Sequence, residues 1–239
     1  MCIVHSIESL SLPTSVPNGI EVWLIRFNLQ APISREDLLL LSEQERAQAL
    51  RFHRHADQLR SIVTRATLRS ILGKKLMRSP GKLRFSANPY GKPYLLGDTN
   101  LEFNVSHAGR FALIALSVHG QIGVDIEDCS RPVDFESLSQ YVFTSTEQRL
   151  RLSTNEDFIR RWVAKEAVMK ALGVGITEHL KDVSVILGRA DEYNVESENR
   201  EWLDVKAWSL AAPVDYAAAL AARHPRAFRD EMEQQQVLK

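Results

Sequence analysis

The sequence has little cysteine and no net charge, and each absence narrows what the protein can be. Only Cys2 and Cys129 occur among 239 residues; two cysteines do not make a disulfide framework, and nothing pairs them as metal ligands. They indicate a reducing compartment, so the expected location is the cytoplasm. The 30 basic and 30 acidic residues cancel, which argues against bulk electrostatic attraction to nucleic acid or to a membrane surface.

Long hydrophobic runs are also missing. The N-terminus has no charged segment followed by a long apolar run, so no signal peptide is predicted. The run from Phe111 to Val118 is only strand-sized, whereas a transmembrane helix needs about 20 apolar residues. A hydrophobic content of 44% is enough for a sizeable core in one large domain or two small ones. We therefore expect a soluble protein without membrane or nucleic-acid partners.

The hydrophobic periodicity predicts an α+β chain. We expect capping boxes or caps at Ser34, Ser42 and Thr144. The predicted helices cover residues 57–77, 135–143, 145–152 and 156–172. The predicted strands cover residues 20–29, 83–86, 93–96, 101–105, 111–118, 122–127, 183–187, 202–210 and 215–222. Both halves run from a strand through a long helix to further strands, so we predict two similar subdomains, residues 1–118 and 119–239, joined near Gly120.

Residues 162–176 predict a helix with one chemical face. Trp162, Glu166 and Lys170 are four residues apart, so they lie one above the other on the same side. Gly173 is placed to end the helix. Taken alone, a carboxylate and an ammonium at this spacing are usually a weak, solvated ion pair.

A second group of acids lies on a predicted strand. Asp125 and Glu127 are two residues apart, so both carboxylates lie on one face, with Val124 and Ile126 on the other. Two neighbouring carboxylates repel, and hard oxygen ligands without Cys or His indicate Mg²⁺ as the compensating cation. The alternative is a solvated strand end; Glu166 would be a suitable third ligand.

Polar residues elsewhere have the chemistry of phosphate contacts. Ser106 and His107 lie where a strand runs into a turn, which suits phosphate binding, although His107 could simply bond locally. A hydrolase triad is disfavoured because adjacent strand residues point to opposite faces. Lys92 is displayed on a turn and is either solvated or a phosphate contact. The arginines near the first helices are either surface residues or phosphate ligands.

Together these motifs resemble one family. They are Gly91-Lys92-Pro93, Phe103-Asn104-Val105-Ser106-His107, Gly123-Val124-Asp125-Ile126-Glu127, and Trp162 followed by Lys165-Glu166-Ala167, Lys170, Gly173 and Gly175. Their order and spacing are similar to those of the Sfp-type 4′-phosphopantetheinyl transferases, in the subgroup with Trp and Lys-Glu-Ala, over roughly residues 20–222. The resemblance implies two similar α+β subdomains in a pseudo-twofold arrangement with the active site between them.

The resemblance also implies a reaction. The enzyme would move the 4′-phosphopantetheine arm of coenzyme A to a serine of an apo acyl or peptidyl carrier protein and release adenosine 3′,5′-bisphosphate. Asp125, Glu127 and Glu166 match the Mg²⁺ ligands. Glu166 also matches the general base toward the carrier serine, acting directly or through a water. Lys170 matches a lysine that contacts the phosphates and is a candidate to protonate the leaving group.

Further positions match coenzyme A contacts: Lys92, Ser106, His107, Arg60, Ser61, Lys165 and Lys170. His107 would hold the 3′-phosphate, and Arg60 with Ser61 would lie near the adenosine end. The chain departs from the family at Glu45 and Gln48, where relatives carry basic residues, so Arg46 or Arg51 would have to serve instead. Residues 143–152 match the segment beside which the carrier docks, and a monomer would suffice for this chemistry.

Two other functions fit the same residues. A metal-dependent phosphohydrolase acting on coenzyme A or a related nucleotide would use the three acids with water and need no carrier. A non-catalytic protein that binds coenzyme A or a carrier would need none of the acids. The natural carrier, its pathway and the tolerance for acylated coenzyme A do not follow from the sequence.

Overall fold

A computed structural model describes residues 5–97, 100–150 and 152–223. Residues 1–4 of the first predicted subdomain, which include Cys2, and residues 224–239 of the second lie outside the described residues. The strands in this part of the chain are β1 His5–Ser9, β2 Ile20–Phe27, β3 Phe85–Ala87, β4 Pro93–Leu95, β5 Glu102–Ala108, β6 Phe111–Ser117, β7 Gln121–Asp128, β8 Val183–Leu187, β9 Glu192–Ser197, β10 Val205–Leu210 and β11 Tyr216–Arg223. The helices are α1 Arg35–Leu40, α2 Glu43–Leu50, α3 His55–Leu76, α4 Phe135–Val142, α5 Ser145–Gln148, α6 Asn155–Leu172 and α7 Ile176–His179. None of the described helices is long and apolar enough to cross a bilayer.

The N-terminal half is an antiparallel sheet covered by one long helix. Its strand order is β1-β2-β6-β5. Helix α3 buries a stripe that includes Leu59, Val63 and Leu72 against Ile25 and Ile114 of the sheet. The stripe recurs at helical spacing in the sequence, which is why this helix was predictable.

The C-terminal half repeats this arrangement. Its five strands are antiparallel in the order β7-β11-β10-β9-β8. Helix α6 packs its apolar side, including Val163 and Ala167, onto Ala219 and Ala221 of β11. Small side chains on both surfaces let the helix backbone lie close to the sheet.

The other faces of the two sheets pack against each other. Val22 and Leu113 of the first sheet share one buried cluster with Val124, Ile126 and Leu220 of the second. Strand β7 therefore has two buried faces: its even residues enter this cluster, and its odd residues face α6. The expected alternation along 122–127 is confirmed, and it leaves Asp125 and Glu127 on the helix side.

The predicted α+β class and the two similar halves are confirmed, with local differences. Strand β9 was missed because its polar sequence has few apolar residues to mark it, and β1 was missed because most of its residues are exposed. Helix α5 ends at Gln148 rather than reaching residue 152, and β10 begins only at Val205, after a 3₁₀ turn at Arg200–Trp202. The boundary predicted between residues 118 and 119 stays a prediction.

Candidate active site

The site is built where helix α6 approaches strand β7 most closely. At Gly123 a β-carbon would lie only 2.0 Å from the carbonyl oxygen of Ala167, so no side chain fits between helix and strand. This close approach brings Glu166 and Lys170, on the helix, over Asp125 on the strand. The glycine of the Gly-Val-Asp-Ile-Glu motif thus has a packing role that sets the geometry of the acids.

Lys170 is the centre of the resulting cluster. Its ammonium lies 2.5 Å from Oδ1 of Asp125 and 3.4 Å from Oε2 of Glu166. The side chain of Asp125 is 2% exposed, that of Glu166 14% and that of Lys170 20%. The group is therefore largely withdrawn from water but open on one side.

Burial and mutual repulsion shift the protonation of this cluster. Loss of hydration, together with the charges of Asp125 and Glu127, raises the pKa of Glu166 to about 7, although Lys170 opposes the shift. Burial and the nearby Asp125 also raise the pKa of Glu127. Burial alone would lower the pKa of Lys170, but the charges of Asp125 and Glu166 outweigh it, so the pKa is raised. Excess negative charge at neutral pH is a condition in which a cation binds well.

The residues fit a hard divalent cation in their donor chemistry. Oδ2 of Asp125 is buried and has no hydrogen-bond partner within the described residues, an arrangement that costs free energy unless a ligand uses the oxygen. All available donors are carboxylate oxygens, as Mg²⁺ prefers. Across residues 5–97, 100–150 and 152–223, no three acidic, His or Cys side chains are arranged so that they could hold a metal ion, and the Lys170 ammonium pairs with both Asp125 and Glu166.

Strand β5 supplies two polar side chains to the site. The contact of Ser106 differs from the predicted one, and that of Asn104 was not predicted. The Ser106 hydroxyl donates to Oδ1 of Asp125 at 2.6 Å, so it orients a carboxylate, whereas the sequence predicted a phosphate contact. Two residues earlier, the Asn104 side chain accepts the backbone N–H of Val124 at 2.9 Å. The period of two between Asn104 and Ser106 was the available signal that both face β7.

The predicted phosphate ligands His107 and Arg60 lie on the other face of β5. His107 is exposed, and its pKa is lowered by partial loss of hydration and then by the positive charges of Arg60 and Lys170. Arg60 donates to the carbonyl of Gly109 at 2.8 Å and to Asp57 at 2.5 Å. Ser61, next to Arg60 on α3, is half-buried. This side of β5 therefore offers the Arg60 guanidinium, which is paired with Asp57, and the exposed His107 imidazole.

The surroundings of Lys165 differ from those expected for a coenzyme A contact. Its side chain is fully buried and bonds the equally buried carboxylate of Glu147, with the Phe143 ring 5.7 Å from its ammonium. Adjacent positions on a helix point in different directions, so Lys165 faces away from Lys170. The predicted contact between Lys165 and coenzyme A therefore finds no support in this geometry.

Lys92, on the turn between β3 and β4, contacts the backbone of the two elements that form the site. Its ammonium donates to the carbonyl oxygens of Ile122 at 2.9 Å and Lys170 at 2.7 Å. Burial lowers its pKa to about 8. On the same turn, the Asn88 side chain donates to the carbonyl of Gly173 at 3.0 Å. Asn88 was not singled out from the sequence, although Asn at the start of a Pro-Tyr-Gly turn is a recognisable signal.

The departure at Glu45 has a structural explanation. Glu45 completes the capping box with Ser42 and pairs with the buried guanidinium of Arg69 at 2.8 Å. A basic residue at this position would lose both contacts. Whether Arg46 or Arg51 supplies the missing positive charge stays a prediction.

Beside the acids, an apolar surface lies between α4 and α6. A pocket of about 240 Å³ is lined by the charged residues Glu127, Asp128 and Arg131 and by apolar side chains that include Leu138 and Trp162. Leu138 and its neighbour Tyr141 on α4 are exposed by 40% and 72%. An exposed apolar surface at this place is suited to contact with another protein.

Comparison with known proteins decides the family. Two family models match the chain, one described as 4′-phosphopantetheinyl transferase, N-terminal, over residues 34–119, and one as the 4′-phosphopantetheinyl transferase superfamily over residues 121–221. The 4′-phosphopantetheinyl transferase HetI of Nostoc sp. PCC 7120 is 35% identical over 215 residues, which cover 84% of this chain and 87% of that protein. The chain belongs to the 4′-phosphopantetheinyl transferase family.

Two further members of the family are similar over most of the chain. The 4′-phosphopantetheinyl transferase Sfp of Bacillus subtilis is 27% identical over 207 residues, 82% of this chain and 90% of that protein. The human L-aminoadipate-semialdehyde dehydrogenase-phosphopantetheinyl transferase is 28% identical over an alignment 258 positions long, gaps included, which covers 96% of this chain and 80% of that protein. The predicted 4′-phosphopantetheinyl transferase fold and enzyme class are thereby confirmed.

The family assignment selects among the three predicted functions. As a 4′-phosphopantetheinyl transferase, the enzyme transfers the phosphopantetheine arm of coenzyme A to carrier proteins. The matched families and relatives give no support to the phosphohydrolase alternative. The non-catalytic alternative is also set aside, since the chain belongs to a family of transferases.

Proposed function

We propose that Asp125, Glu127 and Glu166 hold a Mg²⁺ ion against which the coenzyme A pyrophosphate binds. The observation that carries this proposal is the buried, unpartnered Oδ2 of Asp125 beside two carboxylates of raised pKa. When bound, such an ion offsets the negative charge that develops on the leaving phosphate. Ser106 supports this arrangement because its hydrogen bond holds Asp125 in one orientation.

Glu166 is proposed as the base that takes the proton of the carrier serine. The Glu166 carboxylate is 14% exposed and lies beside the Lys170 ammonium, and it would take the proton directly or through a water, as the family resemblance implies. Lys170 stays protonated, as its raised pKa supports. Its ammonium is proposed to contact the phosphates and to give a proton to the departing oxygen.

The substrates are proposed to enter from opposite sides of this cluster. His107 and Arg60, with Ser61 beside them, would hold the 3′-phosphate and the adenosine end of coenzyme A on one side. The carrier is proposed to dock beside α4 and α5, where Leu138 and Tyr141 are exposed. The enzyme is further proposed to work as a cytoplasmic monomer whose subdomains meet between residues 118 and 119.

The test combines coenzyme A, Mg²⁺ and a panel of apo carrier proteins, and reads the intact mass of each carrier. We expect wild-type enzyme to add one phosphopantetheine, and expect Glu166→Gln or Lys170→Met to slow transfer by about 10²- to 10⁴-fold. Asp125→Asn should abolish the dependence on added Mg²⁺ along with most of the activity. Glu156→Gln, on the exposed side of the same helix, is the matched control and should transfer normally.

Near wild-type transfer by Glu166→Gln would refute the proposed proton transfer. Full activity in the presence of a strong Mg²⁺ chelator would refute the metal site. Circular dichroism of each variant separates a chemical defect from misfolding.

A further inference from the structure

The turn between β3 and β4 crosses from the N-terminal half to the end of the catalytic helix. Lys92 donates from one ammonium to two carbonyls, that of Ile122 on β7 and that of Lys170 on α6. Asn88 adds a third bond, to the carbonyl of Gly173. Three donor–acceptor contacts therefore join a turn of one half to two elements of the other.

Two of these three carbonyls, those of Lys170 and Gly173, lie at the end of α6. The last four carbonyls of a helix lack partners within it, and a positive charge near them is favourable because the helix dipole is negative there. Gly173, in the left-handed conformation at φ 71°, caps the helix with its own N–H. Lys92 and Asn88 complete the capping from outside the helix.

The turn itself is held rigidly. Oδ1 of Asn88 accepts the backbone N–H groups of Tyr90 at 3.0 Å and Lys92 at 2.9 Å. The backbone N–H of Asn88 donates to the Lys92 carbonyl at 3.0 Å, and that of Gly91 to the Asn88 carbonyl at 2.9 Å. The ring of Tyr90 lies so near Gly175 that a β-carbon there would be 3.0 Å from it. Because these hydrogen bonds fix the conformation of the turn, the turn can fix the position of the end of α6.

The two carbonyls bonded by Lys92 belong to the elements that carry the reacting groups. Ile122 precedes Asp125 by three residues on β7, and Lys170 is itself the proposed phosphate contact. We infer that Asn88 and Lys92 are positioning residues, which clamp β7 to the end of α6 and thereby set Lys170 and Glu166 over Asp125. This inference rests on the proposed roles of Glu166 and Lys170.

The clamp differs from the phosphate contact that the family resemblance predicts for Lys92. A lysine ammonium has three N–H donors, and two are committed to carbonyls. A phosphate ligand would act through affinity for coenzyme A, whereas a clamp would act through the geometry of the reacting groups. The two roles therefore separate in kinetics: loss of a phosphate contact raises KM, and loss of alignment lowers kcat.

The experiment measures kcat and KM for coenzyme A in Lys92→Met, Lys92→Arg and Asn88→Asp. Asn88→Asp keeps the acceptor that organises the turn and replaces the donor to Gly173 by a carboxylate oxygen, which repels that carbonyl. We expect Lys92→Met and Asn88→Asp to lower kcat by about tenfold to 10²-fold, as a small misplacement of reacting groups does, with KM changed by less than about threefold. Lys92→Arg, which can again donate to two carbonyls, should recover part of the kcat.

Lys82→Met, an exposed lysine just before β3, is the control for loss of one positive charge and should behave as wild type. A raised KM with unchanged kcat in Lys92→Met, or an unchanged kcat in Asn88→Asp, would overturn the clamp in favour of a phosphate contact. Glu166→Gln and Lys170→Met are assayed in parallel. If they are inactive while Lys92→Met has normal kcat, only the clamp fails; if they are active, the proposed site fails as well.

Discussion

Lys165 and Lys170 lie five residues apart on one helix, and each forms an ion pair with a carboxylate, yet the two pairs differ in almost every other respect. The Lys165–Glu147 pair is completely buried. The Lys170 pairs with Asp125 and Glu166 are partly open, since Lys170 is 20% exposed. The five-residue spacing turns the two side chains to different sides of α6.

The first pair is saturated. Besides Lys165, Glu147 accepts the backbone N–H of Val185 at 2.9 Å through Oε1 and that of Thr144 at 2.7 Å through Oε2. It thereby ties α5 and β8 to α6. A buried charge pair whose oxygens all have partners has nothing left to offer a ligand, so we assign it to structure.

The second pair is not saturated. Asp125 keeps one buried oxygen without a partner in the described structure, and Glu166 has a pKa raised to about 7. A bound cation would use the free oxygen of Asp125 and would offset the repulsion that raises the pKa of Glu166. The difference teaches that acceptor capacity left over after packing, rather than burial or charge alone, distinguishes a binding pair from a structural one.

Removing one partner of the saturated pair should have the largest effect on stability. Lys165→Met leaves the Glu147 carboxylate buried without its counter-ion, which typically costs about 3–5 kcal/mol. We expect the free energy of unfolding, measured in urea, to fall by that amount. At a temperature where the variant remains folded, KM for coenzyme A should be unchanged.

The double variant Lys165→Met/Glu147→Gln is the control for this prediction. Gln removes the uncompensated charge and keeps one acceptor for the N–H of Val185, so it should recover part of the lost stability. A raised KM for coenzyme A in folded Lys165→Met would contradict the structural assignment and restore a ligand contact.

A β-carbon at Gly123 should disturb the second pair without touching the first. It would meet the carbonyl of Ala167 and the backbone N of Ala171, so α6 must move away from β7. We expect Gly123→Ala to lose about 2–3 kcal/mol of unfolding free energy, as overpacking does. It should also lose most of its transfer activity, because Lys170 and Glu166 move with the helix.

Gly81→Ala is the matched control, since a β-carbon there meets no atom within 4 Å; it should change neither quantity. Retained activity in a destabilised Gly123→Ala would mean that the alignment of α6 over Asp125 matters less than the structure suggests.

Much of this fold was predictable because its main elements carry strong periodic patterns. The α3 and α6 stripes and the alternation along β7 follow directly from residue spacing, and Asp125 and Glu166 could be placed on facing elements once the family resemblance was recognised. Helix α4 and the long helices could be predicted from local sequence patterns, without knowledge of contacts distant in the chain. The strands that were missed are the polar edge strand β1 and the polar strand β9, which lies between β10 and β8; their pairing is decided by tertiary structure.

The partners of individual side chains were harder to predict. Lys165 and Lys170 have the same chemistry and lie in one motif, and only the position of Glu147, 18 residues before Lys165, separates their roles. Lys92 and Ser106 similarly look like phosphate ligands in sequence, whereas their partners in the structure are carbonyls and a carboxylate. Such assignments depend on which groups folding brings together across the halves, and local spacing does not contain that information.

The smallest predicted effect is a pH dependence that only the unsaturated pair should produce. Glu166 keeps its proton to about pH 7 in the folded, metal-free protein, whereas in the unfolded chain it releases it near the ordinary value of 4.5. Between these values the folded state binds more protons, so stability falls as pH rises and stays low above pH 7. The contribution is about 2 kcal/mol after allowance for coupling to Asp125 and Lys170.

Glu166→Gln removes this titration and, with it, the destabilisation. In metal-free buffer we expect the variant to match wild type near pH 4 and to be more stable by about 2 kcal/mol at pH 8, in parallel urea titrations. Glu156→Gln, on the exposed side of the helix, should show no such difference. Added Mg²⁺ should stabilise wild type more at pH 8 than at pH 5, because the ion competes with the proton for the same oxygens. Equal stability of Glu166→Gln and wild type at both pH values would mean that Glu166 is not held under repulsion, and the contrast between the two lysine pairs would lose its electrostatic basis.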